Sequence, residues 1–123
     1  MNKTCESLGM YSSLFCNPHG LSHAHARSTA LDIALLCSSC LEHELFRKVV
    51  SCKKYTAFAT VEDTPIQKTW KNTNKLLNIK GFIGLKTGTT VTAGPCLASA
   101  YQFRNQIYII IVLKAPKPIS RFA

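Results

Sequence analysis

An approximate three-to-four-residue apolar period runs across residues 29–45, through Leu31, Leu35, Cys37 or Ser38, Leu41 and Leu45. That spacing gathers them on one side of a helix. Thr29 followed by Asp32 imitates a capping box, in which side-chain oxygens take up the free amides of a first turn. A helix is therefore predicted over residues 29–41, and a second, shorter one over 44–51. Upstream, residues 6–10 read as the tail of a helix closed by Gly9, and 10–21 as a loop with the turn cluster Asn17-Pro18-His19-Gly20. Beyond residue 53 the period changes to two. Tyr55, Ala57, Ala59 and Val61 predict a strand over 54–61. Residues 68–77 hold Trp70, expected in the core, and an Asn72-Thr73-Asn74 cluster expected to cap a turn.

From Gly81 a second strand pattern begins. Phe82, Gly84 and Lys86 alternate with Ile83, Leu85 and Thr87, so the two faces of this strand are used differently. Phe82 is expected in the core. Residues 89–95 read as a turn or short helix. Residues 97–104 and 106–114 then form two strands joined by a polar tip at Arg104-Asn105-Gln106, and Pro116 and Pro118 end the second. The longest apolar run, Ile107 to Leu113, is far too short to span a bilayer and reads as a buried strand. Helices first and strands afterwards predict an α+β fold, with N-terminal helices followed by an antiparallel sheet of about three strands.

With 123 residues the chain is long enough for one domain and too short for two. Fifteen basic residues against six acidic ones give a net charge of +9, which can attract nucleic acid. The charges are scattered, however, with no arginine-rich run and no interleaved aromatic signature, so a basic solvated surface is expected and no nucleic-acid partner. No apolar leader follows Met1, so no signal peptide is visible and the compartment stays open. Cys37 and Cys40 form a C-x-x-C, but no second pair stands at zinc-finger spacing, and His19, His23, His25 and His43 are the only histidines. The two thiols are read as small, reduced, semi-apolar helix residues. No cofactor or metal is expected.

The chemistry is carried by Lys86-Thr87-Gly88. The tripeptide alone is a weak signal, but it sits on a predicted strand and is followed by Thr89-Thr90, Ala93-Gly94 and Cys96-Leu97-Ala98. K-T-G is a motif of penicillin-binding proteins and class A β-lactamases. The likeness extends through Met1-Asn2 with Leu8-Gly9-Met10, the Phe15–Leu21 stretch around Asn17-Pro18-His19-Gly20, Ser28-Thr29-Ala30-Leu31-Asp32, and Trp70 to Leu77. In this order the segments resemble the serine-type D-alanyl-D-alanine carboxypeptidases of peptidase family S11. The resemblance implies a partial DD-peptidase/β-lactamase-like fold, with a D-Ala-terminated peptide or a β-lactam as ligand. Its members usually act outside the cytoplasm.

A strand suits such a ligand, because an extended peptide pairs with a free sheet edge. Lys86 would attract the terminal carboxylate, and Thr87 or Thr89 would add a hydroxyl donor. Gly88 would let substrate backbone come close. By resemblance, the backbone N–H of Thr89 is one of two oxyanion-hole donors, the other belonging to the nucleophilic serine.

That serine is the gap. The family needs S-x-x-K on one helix face and an S-x-N, and no S-x-N occurs here. One S-x-x-K does occur, Ser51-Cys52-Lys53-Lys54, but it follows the Asn17–Gly20 turn, whereas the family's nucleophile precedes it. Ser51 and Lys54 are therefore marginal candidates, as is His19, which reads first as a turn residue. Residues 1–123 are expected to be a partial domain that lacks the S-x-x-K and S-x-N segments and the final helix. Such a chain depends on a missing upstream part and is inactive alone. The alternative is a non-catalytic module that binds peptide carboxylates. A basic nucleic-acid-binding protein rests on charge only.

Overall fold

The computed structural model describes residues 1–62 and 64–122. Three helices come first: α1 (Asn2–Ser7), α2 (Ala30–Leu41) and α3 (Glu44–Ser51). Six strands follow: β1 (Lys54–Val61), β2 (Thr64–Lys71), β3 (Phe82–Gly84), β4 (Thr87–Thr90), β5 (Gly94–Phe103) and β6 (Gln106–Val112). Single 3-10 turns lie at Lys75–Asn78 and Ser120–Phe122. The order is α+β, as expected. No helix among the described residues is long and apolar enough to cross a membrane.

Helix α2 starts where the capping pattern puts it. The Thr29 hydroxyl accepts from the Asp32 amide at 3.1 Å. The reciprocal half of the box is not made. The Asp32 carboxylate, 4% exposed, instead accepts from the Ser12 amide at 3.0 Å and the Ser13 hydroxyl at 2.7 Å, so it ties the N-terminal loop to the helix. The buried face also differs from the expected one. Leu31 is 70% exposed, while Cys37 and Leu41 enter the core with Ile33 beside them. The reason is that α2 is apolar nearly all round, and periodicity alone does not choose between its faces.

The larger sheet has β5 at its centre. β6 pairs along one edge, from Leu97↔Val112 to Phe103↔Gln106. β3 and β4 pair in turn along the other edge. The single strand expected over residues 81–87 is thus two short strands. They are broken at Gly84, which has φ +147°, and there the register shifts. β4 runs on through Thr90, where a turn or helix was expected, so the edge carrying K-T-G is longer than the sequence suggests. Around one face lies the core of Cys37, Leu41, Leu85 and Ala100, with Phe46, Val50, Ile83, Ile109 and Ile111 packed against it.

The opposite face is held by polar side chains. The Gly84 carbonyl accepts from Asn74 Nδ2 and from the Ser99 hydroxyl, each at 2.9 Å. Asn74 Oδ1 accepts from the Leu76 amide at 3.1 Å, and Asn72 Oδ1 from the Asn74 amide at 2.9 Å. Both asparagines therefore cap turns as predicted. Phe82 is half-buried against Tyr101, ring centroids 5.0 Å apart.

β1 and β2 form a separate ribbon, paired from Lys54↔Lys71 to Val61↔Thr64. β2 was not foreseen. Pro65 stands inside it, and all its residues are exposed, so no burial wrote a period of two into its own sequence. Trp70 belongs here and not to the core. It is 48% exposed, stacked at 6.3 Å on Tyr55, with Lys68 Nζ 5.4 Å from its centroid.

Candidate functional site

Among the described residues β4 pairs only with β5, which leaves its other edge open. Hydrogen-bond alternation tells which groups face outward. Lys86 exchanges both backbone bonds with Ala98, at 3.0 and 2.9 Å. In an antiparallel pair every second residue points its amide and carbonyl away from its partner, so Thr87 and Thr89 direct theirs to the free edge. Pro95 opposite Thr89 fits this arrangement, since proline has no N–H to give a neighbour. The Thr89 amide thus lies where a ligand paired on β4 would meet it.

Side chains alternate too. Lys86 shares the sheet face of Ala98 and Ile111 and lines, with Ile33, Cys37 and Phe46, an apolar cavity of about 350 Å³ between that face and the helices. Its Nζ donates to the Thr87 carbonyl. Thr87 turns to the opposite face, buried, with its hydroxyl bonded to that of Thr73. Its hydroxyl is therefore committed inside the protein. Gly88 faces open space: a Cβ built there has no heavy atom within 4 Å.

Arg121 completes this edge and was missed in the sequence, where it counted only among scattered charges. Its Nη1 donates to the Gly88 carbonyl at 3.2 Å and to the Thr89 hydroxyl at 2.8 Å. Its Nε is buried with no hydrogen-bond partner among the described residues. No local pattern links positions 32 apart. Among the described residues the one ion pair is Lys48–Glu44, so neither Lys86 nor Arg121 has a carboxylate partner among them. Two cations bracket a glycine on a strand edge.

The marginal candidates lie elsewhere. Ser51 is the last residue of α3 and donates back to the Arg47 carbonyl at 2.7 Å. Lys54 opens β1 opposite Lys71. Serine and lysine therefore do not share a helix face, the arrangement that S-x-x-K chemistry needs. His19 Nδ1 accepts from the Leu21 amide at 3.2 Å within its own turn. That turn belongs to a loop which docks on the β4–β5 connection, where the Ser22 and Thr92 hydroxyls are 2.7 Å apart.

All six cysteines are free. Burial, reinforced by neighbouring Cys40, pushes the Cys37 thiol from 9.0 up to about 11, and burial raises Cys40 as well. The folded state holds the Cys37 proton more tightly than the unfolded chain does. Its contribution is therefore complete below pH 9 and is lost as the pH rises towards 11. Each tenfold gain in proton affinity corresponds to about 1.4 kcal/mol. Discounted for partial screening by solvent, the alkaline loss is on the order of 2 kcal/mol. A Cys37→Ala variant is expected to show a flatter melting-temperature profile between pH 9 and 11. Parallel profiles for the two proteins would contradict this.

The chain as a whole is similar to known proteins. Residues 1–117 match the family model of the D-alanyl-D-alanine carboxypeptidases, peptidase S11. The chain is 36% identical over 103 residues to a D-alanyl-D-alanine carboxypeptidase of Streptomyces sp. strain K15, covering 81% of this chain and 35% of that protein. It is 34% identical over 129 residues to the D-alanyl-D-alanine carboxypeptidase DacF of Bacillus subtilis strain 168, covering 100% of this chain and 31% of that one. The crystal structure of the Streptomyces K15 DD-transpeptidase aligns with a TM-score of 0.91 at 32% identity, over 98% of this chain and 47% of that chain. Penicillin-binding protein D2 of Listeria monocytogenes, in its cefotaxime-bound form, gives a TM-score of 0.80 at 32% identity, over 98% and 48%. The chain thus spans about a third of these curated relatives and about half of the solved chains. The fold is DD-peptidase/β-lactamase-like over the part covered. By the match of residues 1–117 and these identities, the chain belongs to the peptidase S11 family of D-alanyl-D-alanine carboxypeptidases.

Proposed function

We propose that this chain supplies the substrate-strand side of a serine-type D-alanyl-D-alanine carboxypeptidase site, which forms an acyl-enzyme with a D-Ala-terminated peptide and hydrolyses it. The observation that carries this reading is the open β4 edge flanked by Lys86 and Arg121, two cations with no carboxylate partner among the described residues. A peptide pairs with the outward amides and carbonyls of Thr87 and Thr89. Its terminal carboxylate lies between the two cations, and Gly88 leaves room for its backbone. The Thr89 amide then faces the scissile carbonyl and donates to the oxygen that becomes negative. One such donor contributes about 3–4 kcal/mol to transition-state stabilisation. The nucleophilic serine, its lysine partner and the S-x-N come from outside these 123 residues. A β-lactam, a cyclic amide with a carboxylate, occupies the same edge. This is in keeping with the cefotaxime bound to the Listeria relative.

Titration with N-acetyl-D-Ala-D-Ala, followed by amide chemical shifts, tests the reading. The Thr87, Gly88 and Thr89 signals are expected to move. The same peptide with a C-terminal amide should move them far less. Equal responses to the two peptides would overturn it.

A further inference from the structure

We propose that the cleft between the 14–28 loop and the β4–β5 turn receives the side chain of the residue preceding the D-Ala pair, and that Arg27 selects a carboxylate on it. The inference rests on reading β4 as the substrate strand. A peptide whose C-terminus lies between Lys86 and Arg121, and which runs antiparallel to β4, must send its upstream residues towards Thr90 and the turn beyond. Two residues of extended chain cover about 7 Å. That step carries the third residue from the C-terminus from the level of Gly88 to that of Thr90.

A cleft of about 270 Å³ opens there, bounded by Phe15, Leu21, Ala26, Arg27, Thr90 and Thr92. Its size suits one side chain and not a whole small ligand. The walls are fixed before any ligand arrives. Leu14 and Arg27 exchange backbone hydrogen bonds at 2.8 and 3.0 Å, and the Ser22–Thr92 hydroxyl pair joins loop to turn. Arg27 therefore stands on anchored backbone while its side chain borders the cleft. No carboxylate pairs with it among the described residues. The lining also includes Asn17, Ser22 and His23, and a guanidinium among neutral polar and apolar groups fits an acidic side chain better than its amide.

The test compares N-acetyl-Glu-D-Ala-D-Ala with N-acetyl-Gln-D-Ala-D-Ala, which match in shape and differ in one charge. Binding is measured by calorimetry and by amide shifts at low salt. The glutamyl peptide is expected to bind about threefold to tenfold more tightly, within the range of an exposed charge-assisted bond. Arg27→Gln should erase the difference between the two peptides, while Arg27→Lys keeps part of it. Lys48→Gln on α3 removes the same bulk charge and should keep the preference. Equal affinities for the two peptides, with the Thr87–Thr89 shifts intact, overturn the inference alone. So does a preference that Lys48→Gln weakens as much as Arg27→Gln does. Absence of those shifts with both peptides overturns the substrate-strand reading, and the inference with it.

Discussion

Gly84→Ala is expected to destabilise the chain by about 2–5 kcal/mol, summing overpacking and backbone strain. An added Cβ would stand 2.7 Å from Val50 Cγ2 and 3.3 Å from the Val50 carbonyl oxygen. The backbone sits at φ +147°, where only glycine rests without strain. Retreat is blocked, because the same residue's carbonyl is held by Asn74 and Ser99. The damage should spread along the edge, since Gly84 is the joint between β3 and β4 that sets where Lys86 leaves the sheet. Gly88→Ala is the contrast. Its Cβ meets nothing within 4 Å, so folding should change by less than about 0.5 kcal/mol, while a methyl group intrudes where ligand backbone is expected. Denaturant midpoints of the two variants measure the difference. Equal midpoints would show that the break at Gly84 is not under steric control.

The contrast between these glycines marks the boundary of what is readable in the sequence. Gly88 belongs to a motif, and its neighbours' alternation places it on a strand. Gly84 acts through its carbonyl and through the close approach of Val50, and neither partner is marked by the local pattern. The same division runs through the fold. α2, α3, β5 and β6 are legible because each buries a side, and burial writes a period into the chain. β2 buries nothing, so Trp70 reads as a core residue when it is half of an exposed aromatic pair. Asp32 reads as part of a helix cap. Its larger role, holding Ser12 and Ser13, depends on a loop that local pattern does not position. Arg121 meets Gly88 and Thr89 through tertiary approach alone, so the sequence shows one cation at the site where the structure has two.

Lys86→Ala should raise the dissociation constant for N-acetyl-D-Ala-D-Ala by about tenfold or more, which corresponds to about 1.4 kcal/mol. It should leave the C-terminally amidated peptide almost unaffected. The lysine's carbon stem runs over an apolar cavity, as long basic side chains often do, and its one side-chain hydrogen bond among the described residues goes to the Thr87 carbonyl. Little of the fold depends on it, so a loss of binding would not be a loss of structure. Arg121 retains half of the positive charge and holds Gly88 and Thr89 directly. The double substitution with Arg121→Ala should therefore cost less than the sum of the singles, because both cations act on one carboxylate. Rising salt should weaken the wild-type preference for the free acid and have little effect in the Lys86→Ala chain. If Lys86→Ala weakens the acid and the amide equally, the lysine acts by filling space, and the carboxylate must be held elsewhere on the edge, with Arg121 as the remaining cation.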